Sequence, residues 1–253
     1  TLNYRRDPVE NVNLPERFVK VIEEFIDKLK AVYGGCELIS VILYGSAARG
    51  DFSGANSNIN LAVVLADSSA ANLKRIAAFA GAKAFRPLNV IYFTENYIRN
   101  SADVFPIEFL DMKESNVVLF GKDLLKGLDI DAKNLRFQCE HELKAKLINL
   151  KRLYLRNIRD RAALGGLLFK YFTSCLHIFK NLIRLKGAKI SGTYSKKDIM
   201  EAMEREFGMD PVVFTKIMEA KNRNLRLSYG ETEALLFGFA AELEKIVDSV
   251  DRL

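Results

Sequence analysis

Gly45-Ser46-Ala47-Ala48-Arg49-Gly50-Asp51-Phe52-Ser53-Gly54-Ala55-Asn56-Ser57-Asn58-Ile59-Asn60-Leu61 joins two apolar runs, and the entry and exit of this stretch decide the fold. Ahead of it, Leu38-Ile39-Ser40-Val41-Ile42-Leu43-Tyr44 predicts a strand closed by the Gly-Ser pair. Behind it, Asn58-Ile59-Asn60-Leu61 opens a second apolar strand through Ala62, Val63, Val64 and Leu65. Gly45 allows a sharp turn, and Ser46 begins a helical turn whose exposed N–H groups favour an anion. Arg49 adds positive charge one turn on. Asn58 and Asn60 lie two apart on a strand, so their side chains share a face.

Working outward, Val19, Val21, Ile22, Phe25, Ile26 and Leu29 recur at helical spacing from Pro15 to Val32, with Gly34-Gly35 as the stop. Residues 69–81 predict a helix whose inner face carries Leu73, Ile76, Ala77 and Ala80. Leu88 to Phe93 reads as a third strand, Pro106 to Ser115 as a helix led by its proline, and Val117 to Phe120 as a fourth strand. Alternation of this kind predicts an α/β unit built on a small mixed sheet.

No strand signal survives beyond residue 131. Leu135 to Ile158 carries an apolar stripe of Leu143, Leu147, Leu150, Tyr154 and Ile158. Ala163 to Leu185 is apolar nearly all round, as befits the middle helix of a bundle. Helices near 196–207, 211–221 and 231–251 follow, after a polar connection over Ser191 to Ser195. Short connections make neighbours antiparallel. The fold class expected is therefore α/β plus all-α, with one domain over 1–130, an antiparallel helical bundle over 131–253 and a boundary near Gly127 to Lys133.

Charge divides at the same place. Residues 1–130 hold 15 Lys and Arg against 16 Asp and Glu, net −1, whereas residues 131–253 hold 23 against 16, net +7. Lys144 to Arg161 carries seven basic residues and one acid, with Arg152, Arg156 and Arg159 on an outer helical face. Without interleaved aromatics or a recognition motif, nucleic acid is not favoured as the partner. No apolar run is expected to reach the length of a bilayer span, and the first ten residues lack a secretory leader's apolar core. Cys36, Cys139 and Cys175 form no metal or disulfide spacing; they are expected to be buried hydrophobes in a cytoplasmic protein. His141 is expected on an exposed helix face and His177 as a packed or bundle-lining residue, neither of them catalytic.

The Gly-Ser pair, the spacing to Asn58-x-Asn60 and the flanking strands resemble the signature of the nucleotidyltransferase superfamily over residues 15–121. More loosely, residues 135–220 resemble the helical bundles of kanamycin-type and minimal members. The resemblance implies that Gly45 and Ser46 hold a triphosphate tail. It also implies that Asn58 and Asn60 stand where two magnesium-binding Asp residues belong, with Asn89 at the place of a third carboxylate. Neutral carbonyl oxygens offer a hard divalent cation little, and Asn cannot act as a general base. Asp51, Asp67 and Glu95 are the candidates for a displaced carboxylate, and none alternates with Asn58 and Asn60 on the same face.

Three readings stay open from the sequence. The favoured one is a catalytically degenerate nucleotidyltransferase-fold protein that binds a nucleoside triphosphate or a partner through Gly45, Ser46, Arg49, Asn58 and Asn60. It expects no catalytic residue, no metal and no cofactor. The second is an active enzyme, with magnesium, moving a nucleoside monophosphate to an acceptor. The third is a structural module whose helical domain makes a homodimer or holds a partner chain.

Overall fold

The computed structural model describes residues 12–50, 52, 58–188 and 195–253. Asp51, the N-terminal stretch and positions 191–194 of the polar connection lie outside these. The chain divides into two compact units, Thr1–Ile130 and Asp131–Leu253.

The first unit is a four-stranded sheet in the order β3-β2-β1-β4, built from β1 (Leu38–Tyr44), β2 (Ile59–Leu65), β3 (Leu88–Phe93) and β4 (Asn116–Gly121). β1 runs antiparallel to β2 and β4, and β2 runs parallel to β3. Both sheet faces are covered, which is why β1 and β2 read as nearly continuous apolar runs. On one face, Leu61, Val63 and Leu65 pack with Ile22, Phe25, Ile26 and Leu29 of α1 (Glu16–Glu37). On the other, Ile42, Ala62 and Val64 meet Ile98 of α5 (Glu95–Ser101) and Phe109 and Met112 of α6 (Pro106–Glu114). Non-helical backbone at Gly34 breaks α1 where the glycine pair predicts its stop.

Two departures from expectation lie in this unit. The helix predicted over 69–81 is broken into α3 (Ala70–Leu73), a 3-10 turn at Lys74–Ile76 and α4 (Ala77–Ala80). Rich in alanine and poor in large apolar residues, the segment has little to bury: Ile76 is buried, but Ala77 is exposed. Phe79 supplies the missing contact, edge-on to Phe25 and Phe85 at 5.8 and 6.1 Å. The α5 helix is absent from the sequence reading, although Thr94 caps it by accepting from Tyr97 N at 3.1 Å.

The second unit contains α7 (Ala132–Arg156), α8 (Arg161–Leu185), α9 (Lys196–Phe207), α10 (Pro211–Asn222) and α11 (Tyr229–Val250). Phe214 of α10 packs against Phe172 and Phe179 of α8 and Phe239 of α11, with ring centroids 6.4, 5.7 and 5.4 Å away. By length and composition alone α8 could cross a bilayer, contrary to the expectation that no segment reaches that length. Its apolar circumference is accounted for within the unit: Leu164, Leu168, Phe172, Ile178, Leu182 and Ile183 are all buried there. His177 is exposed rather than packed, because it falls on the outward side of α8, and Ile158 lies exposed beyond the end of α7. Cys139 and Cys175 are buried, whereas Cys36, past the Gly34 break in α1, is exposed. Burial pushes both buried thiols up to about 12, so neither is poised to react as a thiolate.

Candidate functional site

The β1–β2 connection begins with Gly45, whose φ of 78° lies in the left-handed region and lets the chain turn straight out of the sheet into α2 (Ser46–Arg49). Gly45 N donates to Ser115 O at 3.1 Å, and Gly45 O accepts from Ala48 N and Arg49 N at 3.0 and 3.1 Å. The turn is thereby tied to the start of β4 on one side and to its own short helix on the other. Ser46 is half-buried and Arg49 exposed.

Strand register sets what faces this turn. Asn60 is paired with Tyr44 on β1 and with Asn89 on β3, while Tyr44 is paired in turn with Asn116 on β4. One row of Asn89, Asn60, Tyr44 and Asn116 therefore crosses the whole sheet, on the face that continues as Ile91, Ala62, Ile42 and Val118. Asn89 Nδ2 donates to Asn60 Oδ1 at 2.9 Å. That bond leaves the Asn60 amide nitrogen turned toward Gly45, and a Cβ placed on Gly45 would sit 3.1 Å from it. Asn116 Nδ2 donates to Met112 O and Lys113 O, both at 3.0 Å, and so closes the C-terminal end of α6. Burial raises the Tyr44 phenol above its ordinary range, keeping it a neutral hydroxyl.

Of the residues singled out from the sequence, the structure brings together Gly45, Asn60 and Asn89. Asn58 lies just ahead of β2 and is exposed. Tyr44 and Asn116 are not legible as site residues from motif spacing. Their signal is parity: Tyr44 follows Ile42 by two, and Asn116 opens the strand beside it.

The two displaced-carboxylate candidates within the described residues are elsewhere. Because β2 and β3 are parallel, Asp67 and Glu95 both lie past the far ends of their strands, roughly 20 Å from Asn60 and Asn89 at strand rise. Each is already engaged. Asp67 accepts from Ser69 N and Ser69 Oγ at 2.8 Å, which holds its carboxyl below the usual range. Glu95 pairs with Arg99 at 2.5 Å.

Magnesium does not fit this donor set. The side chains meeting at Asn60 are neutral amides already bonded to one another, and Mg²⁺ is bound through carboxylates and phosphate oxygens. Among the described residues no group of three or more His, Cys, Asp or Glu side chains could hold a metal ion.

A small mixed sheet opened by a strand, a Gly-Ser turn and a second strand, with a helical bundle following, is the nucleotidyltransferase fold. The solved structure of spectinomycin adenyltransferase AAD(9) from Enterococcus faecialis with ATP and spectinomycin shares it. That structure matches 88% of this chain and 98% of its own, with a TM-score of 0.52 and 13% sequence identity. No protein-family profile matches the chain. No curated protein matches it by sequence.

Proposed function

We propose that this chain binds a nucleoside triphosphate at the Gly45 turn without two-metal catalysis, and acts as a binding or regulatory protein rather than as a transferase. The observation that carries this reading is the hydrogen bond between Asn89 and Asn60, 2.9 Å long, beside Gly45. Two carboxylates at that separation repel phosphate oxygens unless a cation lies between them. Two amides do not, and the Asn60 nitrogen offers a donor on the side of the turn. In this reading Gly45 and Ser46 receive the phosphate chain, Arg49 contributes charge, and Asn58, Asn60 and Asn89 occupy the places of metal-binding acids. Residues 1–130 form the nucleotidyltransferase-like domain and residues 131–253 its helical partner domain. The structurally similar adenyltransferase was solved with ATP, which makes ATP the first ligand to try.

Calorimetry with ATP in excess EDTA tests the proposal. Binding should saturate, change less than about twofold when magnesium replaces chelator, and weaken about tenfold in Ser46→Ala, the scale of one charge-assisted hydrogen bond. Binding that demands magnesium, or chelator-sensitive pyrophosphate release from MgATP, would establish the transferase instead.

A further inference from the structure

The helical unit has a cleft of about 350 Å³ between α7 and α8. Two lysines and one glutamate supply its charged lining. Lys146 and His141 line it from α7, and Lys170 and Tyr171 line it from α8. Lys146 is only 24% exposed at its side chain, and among the described residues it forms an ion pair with Glu142, at 3.6 Å. Glu142 also accepts from Gln138 at 3.4 Å, so its charge is shared. Asn149 lines the cleft and accepts from Arg152 at 3.1 Å, which brings a guanidinium to its end. Arg152 lies near enough to Tyr171 for its charge to oppose the burial that raises that phenol.

Among the described residues neither Lys170 nor Arg152 forms an ion pair. Other cations of α7 are matched: Arg136 and Lys144 both pair with Glu140, and Lys151 pairs with Glu244. Two lysines that line a concavity and an arginine beside it, against one shared carboxylate, leave an excess of positive charge there. An anion of several oxygens satisfies that arrangement, and a phosphate chain fits both the donor set and the volume.

We propose that the α7–α8 cleft is a binding site for a diphosphate or triphosphate group, held by Lys146, Lys170, Arg152 and the Tyr171 hydroxyl. The group can belong to a free polyphosphate or to a nucleotide. This site is independent of the nucleotide site proposed above, and its test is arranged accordingly.

The experiment titrates inorganic pyrophosphate, by calorimetry, into protein carrying Ser46→Ala, so that the turn's own contribution is weakened. Lys170→Glu and Lys146→Gln are compared in that background with Lys197→Glu, a charge reversal on α9 at a residue 78% exposed and paired with Glu201. Saturable binding near one per chain is expected. It should weaken about tenfold or more in Lys170→Glu, about threefold in Lys146→Gln, and less than about twofold in Lys197→Glu, with thermal melts confirming that each variant is folded. No saturation up to about 10 mM, or an equal loss in Lys197→Glu, overturns the proposal. An ATP arm separates the sources: affinity about tenfold above pyrophosphate assigns the group to a nucleotide, and equal affinity assigns it to a polyphosphate.

Discussion

Asn60 and Asn89 face each other at 2.9 Å, a separation that is comfortable for amides and hostile to a pair of carboxylates. Replacing both with Asp should therefore create what the native pair lacks. With no cation present, like charge raises the affinity of one carboxyl for its proton. A raised carboxyl pKa in the folded state means the unfolded chain gives up its proton first. The double variant should then match the native protein at low pH and lose melting temperature as pH rises through the ordinary carboxylate range. Manganese should restore it: at a hundredfold excess over Kd a ligand confined to the folded state contributes about 2.7 kcal/mol. A manganese-independent melt at pH 7 would mean the two side chains are not aimed at a common point. Gly45 and Gly121 give a second residue-scale prediction, since both have positive φ. A Cβ on Gly121 would lie 2.0 Å from Ile39 O, a backbone atom that cannot step aside, so Gly121→Ala should cost more than about 2 kcal/mol by urea denaturation. At Gly45 the obstruction is the Asn60 amide, which is tethered to Asn89. Gly45→Ala should cost about 1–2 kcal/mol and also break the amide pair. The local pattern around Gly45 announced a tight turn, whereas parity alone grouped Asn58 with Asn60, and Asn58 lies exposed just ahead of β2. Asn89 needed the parallel β2–β3 register, which depends on pairing across 29 residues and which no local spacing encodes.

Among the elements, those whose apolar spacing is dense were legible to within a residue or two. β1, β2 and β3 start and stop at the residues their runs predict, and α9 spans Lys196–Phe207 as its pattern does. The failures share a physical origin. The 69–81 segment has helix-forming alanines but too little apolar surface to be held straight, and α5 is a seven-residue helix fixed by its Thr94 cap rather than by periodicity. Packing predicts the consequence of removing a hub. Phe214 is fully buried among three aromatic rings, so Phe214→Ala should cost about 3–5 kcal/mol, read as a drop in the chemical denaturation midpoint. Caps predict a pH effect. Asp198 accepts from Ser195 N at 3.0 Å, and Glu231 accepts from Ser228 N at 2.7 Å, each completing a reciprocal capping box. Hydrogen bonding from Ser195 and from Ser228 holds both carboxyls below their usual values. A depressed folded-state pKa contributes stability that is present above the unfolded value and lost as pH falls through the folded one. Amide hydrogen exchange, corrected for its intrinsic pH dependence, should therefore show the first turns of α9 and α11 losing protection below pH ~4 before the middle of α8 does. Uniform loss along all three helices would mean the caps are not what holds those turns.

At the scale of the whole molecule, each unit carries its own core. The sheet of the first is sealed on two faces by its own helices, and the aromatic hub of the second draws only on α8, α10 and α11. The charge imbalance of −1 against +7 follows the same division, so the second unit's surplus of cations is a property of that unit and not a compensation for acids in its own helices. Both facts bear on one prediction. Residues 12–130 and 131–253, made separately, should each unfold cooperatively, because each unit has a cluster of buried apolar side chains drawn from its own elements. The separated units should also part company in ligand binding. ATP affinity that depends on Ser46 should stay with the first unit, while pyrophosphate affinity that depends on Lys170 should stay with the second and fall steeply with added salt, as a cluster of cations requires. A helical unit that melts without a cooperative transition would show that α8, apolar on nearly every side, needs more cover than its four companion helices provide. Pyrophosphate binding that vanishes from a well-folded helical unit would instead place the anion's remaining contacts outside it, and the two outcomes are separated by the melt alone.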